Sequence, residues 1–181
     1  KGAREEYSRL KLSRDELNEI REANKVGQVH PVIFEAKLAD LEEICQLVQD
    51  TFGQNPKSED TFTKWIREPQ FHVTIVRVDN EIVGMSAAYI NIDPDLSKYE
   101  LFGKAALDFL SGQKLGWFLT LAVRPNFRRL RIGWKLANEQ SEWLKRQGCT
   151  ALVGSSWVTG SMDNSAHMFI KAGFQKLGES N

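Results

Sequence analysis

Asn-Phe-Arg-Arg-Leu-Arg-Ile-Gly, residues Asn126 to Gly133, is the most informative segment of this chain. It follows an apolar, strand-like run from Trp117 to Val123 across Arg124-Pro125, and it opens a helix-like segment. The first backbone N–H groups of a helix lack an internal partner, and the helix dipole adds partial positive charge there. A strand, a basic turn and a helix start in this order therefore predict a site for a phosphate chain.

Length and composition limit the class of protein. A chain of 181 residues is about one domain long and can bury roughly 70% of its unfolded surface. A hydrophobic content of 41% indicates a folded globular protein. Lys plus Arg equals Asp plus Glu, at 24 each, so net charge attracts neither nucleic acid nor an anionic membrane. Any anion site must therefore be local.

The cysteines and the apolar runs predict where the protein works. Cys45 and Cys149 have no CxxC partner and lie in apolar surroundings, which indicates reduced core thiols. No apolar run approaches the ~20 residues that cross a bilayer, and the charged start Lys1 to Glu6 is not a signal peptide. We therefore expect a cytoplasmic protein with no membrane partner.

Hydrophobic periodicity and turn residues predict the order of the elements. The predicted strands are Pro31–Glu35, Phe71–Val78, Glu81–Ile90, Leu115–Val123 and Thr150–Val158. The predicted helices are Arg14–Ala23, one from Asp40 to Phe52, Glu59–Arg67, one within Asn91–Gln113, Ile132–Gln147 and Ser165–Ala172. Asp79-Asn80 is a turn dipeptide that closes hairpins. Leu115–Val123 is almost uninterruptedly apolar, which is typical of a central strand.

Two segments resemble the GNAT superfamily of acyl-CoA N-acyltransferases. Leu121 to Arg128 resembles the family's strand that ends in Val-x-Pro before an Arg or Gln opens the pyrophosphate loop. Asn164-Ser165-Ala166, followed by Lys171-Ala172-Gly173-Phe174, resembles its second signature. The likeness covers about residues 32 to 178 and extends to the order of elements. It implies an α/β fold with a mixed central sheet and helices on both faces.

The resemblance also implies a domain organisation. Residues 31–181 are then a single GNAT-like domain, residues 1–30 an N-terminal helical extension and residues 91–113 a helical insertion. The insertion and the Gly53 to Asp60 loop would flank the acceptor side of the cleft. Apolar residues of the insertion either pack on the sheet or form a homodimer contact, and the sequence leaves both open: Leu101, Phe102, Phe109 and Leu110.

Acetyl-CoA is the co-substrate that the resemblance implies. In the family, the edge of the fourth strand pairs with the amides of the pantetheine arm through main-chain atoms. The implied cofactor-binding residues are Leu121, Ala122 and Val123 at that edge, Arg128, Arg129, Leu130, Arg131, Ile132 and Gly133 in the pyrophosphate loop, and Asn164. The alternatives to cofactor binding are a solvated helix start or a nucleic-acid contact for the arginines. For Asn164, the alternative is a simple N-cap of the following helix.

Three positions depart from the family's pattern. Arg131 stands where the first glycine of the loop normally lies, and a positive φ there would cost on the order of 1 kcal/mol or more. Phe169 stands where many members have a tyrosine that protonates the thiolate, and phenylalanine donates no proton. Trp117 stands where some members carry a carboxylate base. The catalytic residues are therefore unassigned, and His167 is either a proton carrier or a packing residue.

The resemblance thus implies an enzyme, an N-acetyltransferase that moves acetyl from acetyl-CoA to a primary amine of a small molecule or peptide by direct attack. The alternative is a catalytically weak GNAT-like module that binds CoA or regulates a partner. Nucleic-acid binding is disfavoured by the neutral net charge. No metal is expected, because His30 and His72 belong to no metal-ligand spacing.

Overall fold

A computed structural model describes residues 31–53, 57–91, 104–154 and 174. The described residues from Val32 onward belong to one compact unit. The predicted helices Arg14–Ala23 and Ser165–Ala172 lie outside the described residues. So do Asn164 and most of the 91–113 insertion.

The described strands form one mixed sheet. They are β1 (Val32–Glu35), β2 (Phe71–Val78), β3 (Glu81–Asn91), β4 (Leu115–Val123) and β5 (Ala151–Gly154), and they lie in the order β1-β2-β3-β4-β5. Neighbours pair antiparallel from β1 to β4, whereas β4 and β5 are parallel. The prediction that Leu115–Val123 is an internal strand is confirmed. The strand predicted at Thr150–Val158 is described only over Ala151–Gly154.

One face of the sheet is covered by two helices. The helix α1 (Leu41–Phe52) follows a short 3-10 turn at Leu38–Asp40, and α2 (Glu59–Arg67) begins after Ser58, whose hydroxyl accepts from the Thr61 N–H at 3.3 Å. Both helices have the predicted bounds. Their apolar stripes pack against alternate residues of β2, β3 and β4, and the core here contains Ile44, Leu47, Val48, Phe62, Trp65, Val73, Ile75, Met85, Ala87 and Ala122. We call this the α1/α2 face.

The opposite face is covered by a single long helix. The helix α4 (Ile132–Arg146) packs Ile132, Leu136, Ala137 and Leu144 on the residues of β2, β3 and β4 that point the other way, namely Val76, Val83, Ala88, Phe118 and Val123. A Cβ on Gly84 would lie 2.9 Å from Ile132 Cγ2, and one on Gly116 would lie 2.8 Å from Leu144 Cδ1. The two glycines therefore let α4 approach the sheet closely. Helices on both faces of a mixed sheet confirm the predicted α/β fold.

A buried polar cluster also joins α4 to the sheet, and the apolar pattern gave no sign of it. Gln140 is fully buried, and its Nε2 donates to Thr74 Oγ1 at 3.0 Å and to Ser86 Oγ at 3.0 Å. His72 Nδ1 donates to Gln140 Oε1 at 2.9 Å, and the His72 ring stacks on Trp143. Buried polar groups are costly unless they are paired, so this connected cluster specifies one seating of the helix.

The described part of the insertion is the helix α3 (Lys104–Leu110). Leu110 is fully buried and packs with Leu115, Ala151 and Val153, whereas Phe109 is 57% exposed. Of the two alternatives for the insertion, Leu110 therefore packs on the sheet. The homodimer contact remains a prediction, and Leu101 and Phe102 lie outside the described residues.

Both cysteines are free thiols in the structure. Burial raises the pKa of Cys45 and of Cys149 above the usual range, which keeps both groups protonated at neutral pH. None of the helices in the described ranges has the length and apolar character needed to span a bilayer.

Candidate functional site

The described pairing of β4 with β5 covers only the first half of β4. Pairing between β4 and β5 runs from Leu115 opposite Ala151 to Phe118 opposite Gly154. On its other side, β4 stays paired with β3 as far as Val123. Within the described ranges, no residue pairs with Leu119–Val123 on the β5 side. Such an edge presents backbone N–H and C=O groups that can pair with an extended, amide-containing ligand.

A register shift lies where this edge begins. Ala88 is opposite Phe118, whereas its neighbour Ala87 is opposite Thr120, so Leu119 is an extra residue in β4. An extra residue bends a strand and locally disrupts its ladder. The shift therefore coincides with the point at which the described pairing to β5 ends. The sequence carries no signal for it, because Leu119 lies inside an apolar run.

The loop after β4 starts from a firmly held residue. The Arg124 backbone N–H donates to Val83 O at 2.9 Å, and its Nε donates to Ile82 O at 3.1 Å. The Arg124 guanidinium also pairs with Asp50 at 2.6 Å and with Glu81 at 2.8 Å. A 3-10 turn at Pro125–Phe127 then leads into the arginines.

The arginine segment, residues 128–131, has an unusual backbone. Arg129 has φ of 66° and Arg131 has φ of 62°, so both adopt the left-handed conformation that favours glycine. The positive φ anticipated for Arg131 is therefore present. The side chains of Arg128, Arg129 and Arg131 are exposed, and Arg128 Nε donates to Val123 O at 3.2 Å. Strained residues concentrate at functional sites.

The backbone amides that follow point to an anion site. Within the part of the chain that the structure describes, no acceptor takes the N–H groups of residues 129–133. The first helical bond of α4 runs from Lys135 N to Arg131 O at 3.0 Å. The positive end of the α4 dipole and three exposed guanidinium groups add to the same region. This arrangement suits a diphosphate.

Nine of the ten predicted cofactor-binding residues lie within residues 121–133, which the structure describes in full. Leu121, Ala122 and Val123 have no described partner on the β5 side, and the Ala122 and Val123 side chains are buried, so that only the main-chain atoms of these two residues are available to a ligand. Arg128, Arg129, Leu130, Arg131, Ile132 and Gly133 form the loop and the helix start. The tenth, Asn164, lies outside the described residues with His167 and Phe169. Ligand binding by these residues stays a prediction.

Trp117 has a partner that the sequence reasoning missed. It lies opposite Tyr89 of β3, and the two rings stack with centroids 6.4 Å apart. Burial raises the pKa of Tyr89, so its hydroxyl stays protonated at neutral pH. Only the register between two strands distant in sequence reveals this pair. Among the described residues, no group of three His, Cys, Asp or Glu side chains could hold a metal ion.

Comparison with known proteins agrees with this geometry. The family model described as "Acetyltransferase (GNAT) family" matches residues 41–174. No curated protein matches the chain in sequence.

Solved structures with a similar fold include three acetyltransferases. An aminoglycoside N-acetyltransferase in complex with CoA has a TM-score of 0.64 at 14% identity, over 83% of this chain and 96% of that one. An apo aminoglycoside antibiotic 6'-N-acetyltransferase from Acinetobacter haemolyticus has a TM-score of 0.60 at 19% identity, over 83% and 94%. An acetyltransferase of Trypanosoma brucei has a TM-score of 0.61 at 17% identity, over 83% and 95%. At these identities the likeness shows the fold alone.

Proposed function

The chain belongs to the GNAT acetyltransferase family, and on that premise we propose that it is an N-acetyltransferase which transfers acetyl from acetyl-CoA to a primary amine of a small molecule or peptide. One observation carries the proposal. Among the described residues, the N–H groups of residues 129–133 have no acceptor, and they lie directly after Leu119–Val123, which has no described partner on the β5 side; this is the order that a diphosphate and an amide-containing arm require.

Two parts of the chain would hold the cofactor. The amides of residues 129–133, together with the Arg129 and Arg131 guanidinium groups, would bind the pyrophosphate. Backbone groups of Leu119–Val123 would pair with the pantetheine amides, which places few demands on side-chain identity. When bound, acetyl-CoA supplies the acetyl thioester that the acceptor amine attacks directly.

The residues of the chain contribute mainly by positioning. The N–H groups of Leu119–Val123 that face away from β3 would stabilise charge on a carbonyl oxygen held against this stretch of β4. Holding amine and thioester together in the correct orientation accounts for a large share of the rate in such reactions. Since Phe169 cannot donate a proton, water or another side chain must carry protons at this site.

The similar structures support the same direction. One is an aminoglycoside N-acetyltransferase in complex with CoA, and another is AAC(6')-Iy in complex with the bisubstrate analogue CoA-S-monomethyl-acetylneamine. Those ligands belong to those proteins. For this chain they support an acyl-CoA donor and a small-molecule amine acceptor.

A second candidate function is a catalytically weak module that binds CoA or regulates a partner. It is favoured by Arg131, which keeps a strained backbone where the family has glycine, and by Phe169 in place of the proton-donating tyrosine. In this case CoA binding would persist without turnover.

Calorimetry with acetyl-CoA and CoA tests the proposal first. We expect saturable binding of both, and no binding at millimolar concentration would exclude the cofactor assignment. Release of free thiol from acetyl-CoA in the presence of a panel of amines then separates the two candidates. Turnover that requires an amine supports the enzyme, whereas binding without turnover on any amine supports the weak module.

The variant Gly133→Trp places a large side chain at the second helical residue, where the phosphate would approach. It should abolish both binding and turnover. Phe34→Trp is the control, because Phe34 is exposed on β1 at the far edge of the sheet. Equal loss in both variants would contradict the assignment of the loop.

A further inference from the structure

A row of aromatic rings crosses the α1/α2 face from its core to β4. Trp65 of α2 contacts Phe62 at 5.3 Å between centroids and Phe71 of β2 at 6.1 Å. Phe71 stacks on Tyr89 of β3 at 5.5 Å, and Tyr89 stacks on Trp117 of β4 at 6.4 Å. These distances are within the range of favourable aromatic pairs. We call these five residues the aromatic row.

Strand register shows which face the row occupies. Phe71 is opposite Tyr89, and Tyr89 is opposite Trp117, so their side chains share one face of the sheet. Phe71 packs with the core beneath α1 and α2, which identifies that face. Trp117 lies one residue before Phe118, the last residue of β4 with a described partner in β5. The row therefore ends beside the stretch of β4 that is proposed to hold the pantetheine arm.

Exposure changes along the row. Phe62 is fully buried and Trp65 is 7% exposed, which anchors one end in the core. Phe71, Tyr89 and Trp117 are each only half-buried. Three neighbouring rings with accessible surface next to a reaction site form an apolar surface of the kind that binds ligands. The Tyr89 hydroxyl, whose pKa is raised by burial, adds one polar group to this surface.

Positive charge lies at the core end of the row. Lys57 Nζ is 5.4 Å from the centroid of the Trp65 ring, and Lys64 Nζ is 5.9 Å from that of Phe71. Both contacts are in cation–π range. A ligand lying along the rings would place its far end near the Lys64 ammonium group. A second cation on that ligand would be repelled there, whereas an anionic or neutral group would be accepted.

We propose that Phe71, Tyr89 and Trp117 are the acceptor-binding surface, and that the acceptor is a primary amine carried by an apolar ring, with no second cationic group. This inference rests on the proposed function, because it places the amine at the β4 end of the row, next to the Leu119–Val123 stretch proposed to hold the cofactor. It distinguishes this chain from the similar aminoglycoside acetyltransferases, since aminoglycosides are polycationic sugars.

Three small amines test the surface without any need for turnover. Benzylamine carries a ring, 2-methoxyethylamine is a primary amine of similar basicity without a ring, and p-xylylenediamine carries the ring and a second amine. Binding is followed by NMR through the indole N–H signal of Trp117, which is identified by its loss in Trp117→Phe. We expect benzylamine to shift this signal with saturation. The other two amines should bind more weakly, 2-methoxyethylamine by about tenfold and p-xylylenediamine by about threefold.

Substitutions at Tyr89 test whether the aromatic row is where benzylamine binds. Tyr89→Leu should weaken benzylamine binding by about three- to tenfold, the value of one aromatic contact, and leave 2-methoxyethylamine unchanged. Tyr89→Phe keeps the ring and should keep the affinity. Phe34→Leu, the same loss of an exposed ring on β1, should change nothing. Equal affinity for benzylamine and 2-methoxyethylamine, or benzylamine binding that survives Tyr89→Leu, would overturn the proposal. Tighter binding of p-xylylenediamine would overturn its charge preference.

Acetyl-CoA calorimetry on the same samples separates this inference from the proposed function. If the protein bound ring-carrying amines selectively but did not bind acetyl-CoA, the proposed acetyltransferase function would be excluded. The aromatic surface would then bind rings but could not serve as the acceptor site. If the protein bound acetyl-CoA but showed no preference for amines with a ring, the assignment of the acceptor-binding surface would be excluded. The proposed acetyltransferase function would still stand. Both kinds of binding together support the two proposals.

Discussion

Two short regions of this protein share an unusual backbone but not the residues that suit it. The hairpin turn between β2 and β3 has positive φ at Asp79 (50°) and Asn80 (69°), and the arginine segment has it at Arg129 (66°) and Arg131 (62°). Asp and Asn adopt the left-handed conformation several times more often than other residues with side chains. Arginine has no such advantage and pays on the order of 1 kcal/mol per residue.

The difference shows which region is built for stability. The turn is supported locally, since Arg77 donates to Asn80 O at 2.5 Å and pairs with Asp40 at 2.7 Å. The arginine segment is fixed by Arg124 before it and by the buried Ile132 after it, and Leu130 packs on the same core, whereas the three arginine side chains are exposed. A costly backbone held from outside is what a binding loop requires.

Charge reversal in the arginine segment should produce the largest effect. We expect the double variant Arg129→Glu with Arg131→Glu to weaken acetyl-CoA binding by about a hundredfold, because hydrogen bonds to charged groups contribute roughly 1.5–3 kcal/mol each. Calorimetry measures the change. Arg146→Glu, at the exposed far end of the same helix, is the control and should change affinity less than about twofold. An equal loss there would indicate a general charge effect.

Changes in the packing of α4 on the sheet should affect the arginine segment and should not affect the hairpin turn between β2 and β3. Gly84→Ala places a Cβ 2.9 Å from Ile132 at the start of α4, and Gly116→Ala places one 2.8 Å from Leu144 near its end. Each should lower the free energy of unfolding by about 1–3 kcal/mol, as overpacking does. Urea denaturation measures this.

Only Gly84→Ala should also weaken acetyl-CoA binding, because only Ile132 adjoins the loop. If Gly116→Ala weakened binding to the same extent, the arginine segment would not depend on the seating of the helix start.

Glycine substitution measures the backbone strain in both regions. Arg131→Gly should raise the free energy of unfolding by about 0.5 kcal/mol, since relief of strain exceeds the added entropy of the unfolded chain. Asn80→Gly should leave it unchanged within a few tenths of a kcal/mol, because asparagine tolerates this conformation. Chemical denaturation of both variants provides the comparison. A gain at Asn80 that matched the gain at Arg131 would show that the two regions are equally strained.

Loss of the ion pair between Arg124 and Asp50 should have the smallest effect on stability, and that effect should depend on pH. Hydrogen bonds from Gln46 and Arg124 lower the pKa of Asp50 below its usual value of 3.8. A carboxyl with a lowered folded-state pKa adds stability above its unfolded pKa and loses it as the pH falls through the folded value. The Asp50→Asn variant should therefore have a slightly lower melting temperature than wild type at pH 7. The difference in melting temperature should vanish well below pH 3.8. A difference that persisted in acid would exclude the ion pair as its cause.

Much of the fold was predictable because its signals are local. The bounds of Glu59–Arg67, Phe71–Val78 and Leu115–Val123 match the prediction, since capping residues, turn dipeptides and apolar runs act over a few residues. The Arg131 backbone was also anticipated, from the residue that normally occupies its place. The bulge at Leu119 was missed because it has no composition of its own, and Gln140 was missed because its partners lie more than fifty residues away.

Local patterns in the sequence thus specify the order of elements, the hairpin, and the strand, basic turn and helix start within residues 115–133, because each depends on neighbours along the chain. Long-range pairing alone decides that β4 carries an extra residue at Leu119, that Tyr89 lies beside Trp117, and that Arg124 is held from three sides. The physical reason is register: a shift of one residue between strands moves every side chain to the other face, and only the packed sheet sets it.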